Sequence, residues 1–471
     1  MTVLQLLEGV EVVSRSGPPQ SFGRVLSGLH YDSRRIQPDS AFVAMKGEST
    51  DGNSFIDAAL MQGAIAIVTD SAREKPRPNT AWVQVVHGRR ALAALAANFY
   101  GHPARQLKIT GVTGTNGKTT TTFLLAQMLQ FLRRGDVALM GTIEYHFAGQ
   151  VVSAPHTTPE ALELNQIFAQ AVAPGPHRST EAVMEVSSHA LAQQRISGIS
   201  YDVAVFTNLT RDHLDYHETL EDYFAAKQLL FTGCAAPPPR VAVINSDDPY
   251  GRRLYPVSKS AGSERMAYGL GRDASLPDVT AEQITFTPND TQFRLCTPLG
   301  AALVRSPLVG RVNLLNLLAA SAAAQARGAS LEDIVGSASQ SQSAPGRFER
   351  VDCGQPFSVI VDYAHTDDAL RNLTALAREL AAQNQNKDAQ GKPGRVITLF
   401  GCGGDRDRSK RPLMGEAAGQ GSDFVVLTSD NPRSEDPRAI IAEAEPGLLK
   451  TGVRYAVELD RRQAIALVIA E

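Results

Sequence analysis

The sequence predicts an α/β protein of three domains. A central parallel-sheet domain that cradles a phosphate chain stands between a small α/β domain and a C-terminal Rossmann-like domain. Three observations carry this. At 471 residues the chain is too long for one ordinary core. Between residues 107 and 132 an apolar run of strand length, a turn of small residues and an amphipathic run of helix length follow one another. Elsewhere, apolar runs of strand length alternate with helical stretches, the pattern of parallel sheets covered by helices.

The first domain is read as residues 1–104. Residues 41–45 (AFVAM) and 64–70 (AIAIVTD) read as strands, and 55–63 and 89–101 as helices. The polar stretch 29–35 (LHYDSRR) lies between elements. With Ser33 and two arginines it suits a phosphorylated ligand, and equally a solvated loop. Residues 102–106 (HPARQ) mark the boundary.

The second domain, 105–342, opens on TGTNGKTTT. Gly114 and Gly117 leave room for backbone N–H groups to wrap an oligophosphate, and the positive end of the following helix adds a favourable field. Lys118 is placed to reach the terminal phosphates and Thr119 to hold magnesium. Val112 stands where the strict G-x-x-x-x-G-K-[ST] pattern has its first glycine, with Gly111 and Gly114 flanking that place. The apolar strand 182–186 (AVMEV) contains Glu185, whose carboxylate needs a partner if buried, either a magnesium ion or a salt bridge. The strand 202–210 runs into a turn holding Asp212, His213, Asp215 and His217. Ligands of open α/β sheets lie at that end of a strand, yet a capped polar turn has the same spacing. Lys227 falls in a helix, and residue chemistry alone assigns it no role. Residues 268–307 read as short strands with turns, 310–328 as a helix, and 341–351 as a linker.

In the third domain, 343–471, strands are expected at 357–364, 395–401, 423–430 and 453–460, with helices between them. Polar residues gather where strands end: Asp362 with His365, residues 403–411, and residues 430–437. The polar stretch 381–394 is expected to be mobile. The chain stops inside a predicted helix with no strand after it, so a truncated C-terminus is expected.

Composition narrows the function classes. Lys+Arg total 46 and Asp+Glu 49, a net charge of −3, so nothing points to nucleic acid as a partner. The four cysteines are scattered without metal spacing, as in reduced cytoplasmic proteins. The N-terminus shows no signal peptide, and no apolar run approaches the roughly 20 residues that span a membrane.

On residue chemistry the reading stops at a magnesium-nucleotide enzyme. Taken together, TGTNGKTTT, MEVSSHAL, TNLTRDHLDYH, APGRFE, DYAHT and FGCGGDRDRSKRPLMG resemble the Mur ligases along nearly the whole chain. The closest likeness is to those members that add the third residue of the peptidoglycan stem peptide. The resemblance implies a monomeric cytoplasmic enzyme whose substrates are ATP, UDP-MurNAc-L-Ala-D-Glu and meso-diaminopimelate, joined through an acyl phosphate. It implies that residues Gly114, Thr115, Asn116, Gly117, Lys118, Thr119 and Thr120 hold the triphosphate, with Asn313, Arg347 and Asp362 as further ATP contacts. It places one magnesium on Thr119 and Glu185 and a second with the help of His213, and carries over to Lys227 the carbamylated lysine whose oxygens ligate magnesium. Ser33 matches a uridine-side contact; Thr157, Thr158, Ser187, Gln193 and Arg195 match contacts to the muramoyl dipeptide. Arg406 and the DNPR residues Asp430, Asn431 and Arg433 match diaminopimelate contacts.

There are departures from the family pattern. Tyr31 and Glu48 stand where relatives carry other residues near the uridine, and Asp367 replaces the proline usual after DYAHT. Relatives continue into a further strand and a GKGHE-like loop. The competing readings are a lysine-adding version, a folylpolyglutamate-synthase-like ligase and a P-loop kinase or ATPase.

Overall fold

Six parallel strands form the floor of the central domain. Their order is Glu264–Tyr268, Val241–Asn245, Val203–Phe206, Lys108–Thr113, Glu181–Glu185 and Val137–Met140, extended by the antiparallel strands Glu144–Phe147 and Gln150–Ser153. In this computed structural model, residues 1–47, 50–72, 78–271, 277–287, 289–383 and 394–471 are described. Glu48 and most of the polar stretch 381–394 lie outside them.

Alternation along the strands sends side chains to two different cores. Val183, Val203, Val205, Val241 and Val243 pack under the helices Lys118–Arg133 and Arg311–Ala326. Ala182, Met184, Ala204, Phe206 and Ile244 pack under Ala161–Ala171, Leu220–Thr232 and Pro249–Ser260. The strand Lys108–Thr113 lies between Val203–Phe206 and Glu181–Glu185, so connections leave it to both sides and a crevice opens at the carboxyl ends. A tight hairpin through Ala148 and Gly149, both at positive φ (50° and 73°), closes the edge. Sequence analysis had not separated the strand Val137–Met140 from its surroundings.

The N-terminal sheet has the order Val12–Ser16, Ala81–Val85, Ala66–Thr69, Ser40–Ala44, Gly28–His30, with only the first pair antiparallel. Three of these strands are absent from the sequence reading: Val12–Ser16 is largely exposed, Gly28–His30 is only three residues long, and Ala81–Val85 is missed although the turn residues Pro78 and Asn79 stand just before it. The expected short strands at 268–307 become an antiparallel sheet of Thr280–Phe286, Thr291–Thr297 and Gly300–Ser306.

The third domain departs from expectation at its start. Its parallel sheet holds Ile397–Phe400, Phe424–Thr428 and Arg454–Glu458. The strand expected at 357–364 instead pairs, as Val359–Val361, antiparallel to Glu349–Val351, inside the stretch read as a linker. Gly354 turns the chain at φ +83°. The Asp362 carboxylate then accepts hydrogen bonds from the backbone N–H groups of Phe348 (2.8 Å) and Ala364 (2.8 Å), fastening the hairpin across its open end. The helices Asp367–Gln383, Lys410–Gly421, Pro437–Thr451 and Arg461–Ala470 cover the sheet.

At the amino end of the central sheet, away from the crevice, Arg327 is buried against Glu181 (2.5 Å) and Asp202. Arg133 shares Glu181 (3.1 Å) and Arg240 shares Asp202 (3.1 Å). The network ties the helix Arg311–Ala326 to the starts of two strands. Removing the central cation strands buried carboxylates, so Arg327→Ala is expected to lose about 3–5 kcal/mol of stability in denaturant titrations. Nucleotide binding by the folded fraction should stay at the wild-type level.

Candidate functional site

The loop after Lys108–Thr113 is shaped by what surrounds its glycines. Gly114 (φ +150°) lies so close to Thr207 that a Cβ would sit 1.8 Å from its hydroxyl, and a Cβ on Gly117 (φ +85°) would sit 2.4 Å from Asn316 Oδ1. The segment after Val203–Phe206 holds the loop in register. Thr115 N–H donates to the Asn208 carbonyl (2.8 Å) and Asn116 N–H to Asn208 Oδ1 (2.9 Å). Thr207 Oγ1 donates to the Asn116 carbonyl (2.7 Å). Thr119 and Thr120 begin the next helix and are buried.

Two lysines converge on one carbonyl oxygen. Lys118 Nζ donates to Gly114 O (3.0 Å) and Thr115 O (2.8 Å), and Lys227 Nζ donates to Gly114 O (2.8 Å). Lys227 is 1 % exposed, with its Nζ 4.3 Å from the centre of the Tyr223 ring. Burial first, then the Lys118 charge, holds the Lys227 amine well below the ordinary lysine value. Lys118 is also lowered by burial, against the pull of Glu185 and Asp212.

Glu185 is buried and engaged by Thr142, whose N–H and hydroxyl donate to its carboxylate (2.7 and 3.1 Å). Among the described residues no ion pair involves it. His213, at φ +54°, lies edge-on to His189 and 3.5 Å from Asp212 Oδ2. Its imidazole is held below the ordinary histidine value, chiefly by burial, with His189, Lys118 and Lys227 adding to the effect and Asp212 opposing it. His217 bonds Ser188 (2.9 Å) and so belongs to the core beside this cluster. No trio of His, Cys, Asp and Glu among the described residues forms a ready cation cage.

The third domain reaches onto this loop. Arg347 Nη2 donates to Thr119 Oγ1 (3.1 Å), its guanidinium lies over Tyr363, and its Nε is buried without a hydrogen-bond partner. Asp368 Oδ2 accepts from Asn116 Nδ2 (3.0 Å). Asp362, next to that tyrosine in sequence, is raised by burial despite its backbone donors. Asn313 bonds the Val309 carbonyl (2.9 Å) at the start of its helix.

A second group of predicted residues lines the way from the N-terminal domain. Thr157 Oγ1 pairs with Thr142 Oγ1 (3.1 Å), and Thr158 Oγ1 donates to the Glu185 carbonyl (2.9 Å) and accepts from Ser187 N–H (3.1 Å). Arg195 bonds Gln193 Oε1 (2.9 Å), the Thr158 carbonyl (3.2 Å) and Glu160 Oε1 (2.9 Å). Glu160 also pairs with Arg89 of the first domain (3.2 Å). Ser33 opens a short 3-10 helix, and its neighbours Tyr31 and Arg35 hold Glu163 of the central domain at 3.1 and 3.4 Å.

The third group stands apart from the cradle. Arg433, at φ +49°, donates to the Gly404 carbonyl (2.6 Å), and Asn431 O accepts from Gly404 N–H (2.9 Å). A Cβ on Gly403 would lie 3.1 Å from Arg433 Nη1 and 4.0 Å from Arg406 Cγ, so the two arginines share one corner. Asp430 lies 4.0 Å from Arg461.

Thr142, Asn208, Asn316, Glu160 and Lys410 were not singled out by sequence. Asn208 stood inside the quoted TNLT run. Thr142 and Glu160 partner candidates far away in the chain, which no local pattern reveals.

Family models fall across the three regions: "Mur ligase family, catalytic domain" at 25–100, "Mur ligase middle domain" at 112–324 and "Mur ligase, glutamate ligase domain" at 346–471. The UDP-N-acetylmuramoyl-L-alanyl-D-glutamate–2,6-diaminopimelate ligase of Solibacter usitatus is 48 % identical over 471 residues, covering 100 % of this chain and 91 % of that protein. A solved structure of a ligase of the same name superposes with a TM-score of 0.67 at 32 % identity, covering 99 % and 91 % of the two chains. The folylpolyglutamate synthase of Mycobacterium tuberculosis, solved with ADP, shares the fold at 20 % identity and a TM-score of 0.64, over 81 % of this chain and 87 % of that one.

The buried Lys227 amine sets a measurable pH dependence. Its folded-state value lies below its unfolded one, so between the two the unfolded chain binds the extra proton and stability rises with pH. Lys227→Met removes that term, while Gly114 O keeps its bond from Lys118. In CO2-free buffer the variant should melt no lower than wild type at neutral pH. Wild type should then gain on it as pH rises toward 10.5; a parallel pair of Tm–pH curves would refute the buried neutral amine.

Proposed function

The chain belongs to the Mur ligase family, and we propose that it is the ATP-dependent ligase that adds meso-diaminopimelate to UDP-MurNAc-L-Ala-D-Glu. The observation that carries this reading is a phosphate loop closed by two domains, with Arg347 reaching Thr119 across the boundary. The free carboxylate of the dipeptide attacks the γ-phosphorus of ATP, and ADP leaves. The amine of the incoming amino acid attacks the resulting acyl phosphate. The tetrahedral intermediate expels phosphate, and the nitrogen loses its proton to give the amide.

The residues support positioning and charge neutralisation rather than a covalent nucleophile. Gly114 to Thr120 wrap the triphosphate, and Lys118 neutralises its terminal end. Asn313, Arg347 and Asp362 contact the nucleotide. Thr157, Thr158, Ser187, Gln193 and Arg195 orient the muramoyl dipeptide, with Ser33 on the uridine side.

Thr119, Glu185 and His213 suit magnesium. Among the described residues no ion pair reaches the buried Glu185 carboxylate, Thr119 Oγ1 is already paired with a positive group, and these two oxygen donors match that ion, with His213 adding a ring nitrogen. When bound, magnesium spreads the charge that develops on the transferred phosphoryl group. Lys227 would carry the carbamate: burial lowers its amine well below the ordinary lysine value, favouring the neutral form that adds CO2 with release of a proton and leaves one negative charge shared by two oxygens.

In the third domain, Arg433 and Arg406 offer planar cations to the distal carboxylate of diaminopimelate, while Asp430 and Asn431 accept from its amine. L-Lysine lacks that carboxylate and would leave a guanidinium unpaired. Among the described residues no helix is long and apolar enough to cross a membrane. Nucleotide-linked substrates and ATP support a cytoplasmic reaction, carried out by a monomer.

The test is ADP release with UDP-MurNAc-L-Ala-D-Glu and ATP, with and without meso-diaminopimelate or L-lysine. Release that depends on the dipeptide substrate and diaminopimelate is expected; release without the amine would instead indicate a kinase or ATPase. Lys118→Ala should lower turnover by about 10²–10³-fold or more. Arg433→Ala should shrink the preference for diaminopimelate over lysine by roughly 10- to 100-fold, the worth of a charged hydrogen bond of about 1.5–3 kcal/mol. An unchanged preference would remove Arg433 from the role.

A further inference from the structure

Asp212 and Lys410 face each other across the boundary between the central and third domains. Asp212 is 7 % exposed; its Oδ1 lies 3.9 Å from Lys410 Nζ and its Oδ2 lies 3.9 Å from His365 Nε2. The neighbouring residues meet as well, Arg211 Nη2 donating to Ser409 Oγ (2.8 Å). Two consecutive residues of one domain thus engage two consecutive residues of the other.

Lys410 is an unfavourable residue for its local position. It is the first residue of the helix Lys410–Gly421, at the positive end of the dipole, and no side chain caps that end. Its side chain is only 13 % exposed. Among the described residues its one ion-pair contact is Asp212, so the charge that offsets its burial comes from the other domain. At 3.9 Å the pair attracts without the directional lock of a hydrogen bond.

The two partners connect the halves of the site. Asp212 precedes His213 at the phosphate end, and Lys410 follows Arg406 by four residues in the segment that meets Arg433. These residues therefore lie between the groups read as holding the phosphate chain and those read as holding the incoming amine. Displacements of about 1 Å between reacting atoms cost on the order of 10²-fold in rate.

We propose that Lys410, paired with Asp212, is a positioning residue that seats the third domain so that the amine bound there faces the acyl phosphate. This rests on the ligase reading. The pair acts on the second chemical step; nucleotide capture and carboxylate phosphorylation fall to the central domain with Arg347 and Asp362, whose hairpin is held to the phosphate loop by its own contact, Arg347 to Thr119.

The experiment compares wild type, Lys410→Met and Lys410→Arg in the full chain, each first checked for a wild-type melting profile. Binding of a non-hydrolysable ATP analogue and single-turnover ADP formation with the dipeptide substrate alone should be unchanged in Lys410→Met. Its kcat/KM for meso-diaminopimelate should fall about 10- to 100-fold, and Lys410→Arg should recover most of that loss. Fluorescence transfer between dyes on the central and third domains should shift in Lys410→Met and return in Lys410→Arg. Wild-type kcat/KM in Lys410→Met, or a loss falling equally on ADP formation without the amine, overturns the proposal. If wild type itself shows no amine-dependent turnover, the ligase reading fails; the transfer measurement then still decides the seating, and an unchanged distance in Lys410→Met overturns it.

Discussion

The carbonyl oxygen of Gly114 accepts hydrogen bonds from two lysines at once, Lys118 and Lys227. Sharing one acceptor brings their ammonium groups within the ~4–6 Å over which like charges strongly shift each other. Burial lowers both amines. Lys227 is lowered further, because it is enclosed by the Tyr223 ring and the protein interior and faces the Lys118 charge, whereas Lys118 also feels Glu185 and Asp212. One loop geometry therefore gives two neighbouring lysines different surroundings.

That geometry depends on distant residues. Gly114 and Gly117 are pressed against Thr207 and Asn316, so the loop keeps its shape only if the strand Val203–Phe206 and the helix Arg311–Ala326 are in place. The Arg327 network fixes that same helix to the starts of two central strands, at the opposite end of the sheet. Stability invested at one end of the domain is expressed as a rigid cradle at the other.

Sequence made the central domain legible because its signals are local: a strand, a glycine turn, a lysine and a helix occur within 26 residues, 107–132. Glu185 and the 212–217 cluster were visible as charges out of place in apolar surroundings, but Lys227 was not. Its helix has a charged surface like many others, and its burial arises from packing on Tyr223 and Gly114, far away in sequence. The Val359–Val361 hairpin was misread for a related reason. Its apolar pattern suits a buried parallel strand, and the Asp362 contacts that fasten it to Phe348 are tertiary. Resemblance supplied Lys227, Arg347 and Asn313 where periodicity and spacing were silent, while Thr142, Glu160 and Lys410 emerged only from contacts.

The contacts between the central and third domains are of two kinds. Arg347 on Thr119 and Asp368 on Asn116 occupy groups of the phosphate loop itself. A triphosphate wrapped by that loop, as proposed, would compete for both, and Arg347, whose Nε is buried without a hydrogen-bond partner, keeps an unmet donor to offer an anion. The contacts of Asp212 and Arg211 lie on the adjoining strand-end turn and use no loop group. The two domains therefore meet through one set of contacts that uses phosphate-loop groups and another that does not.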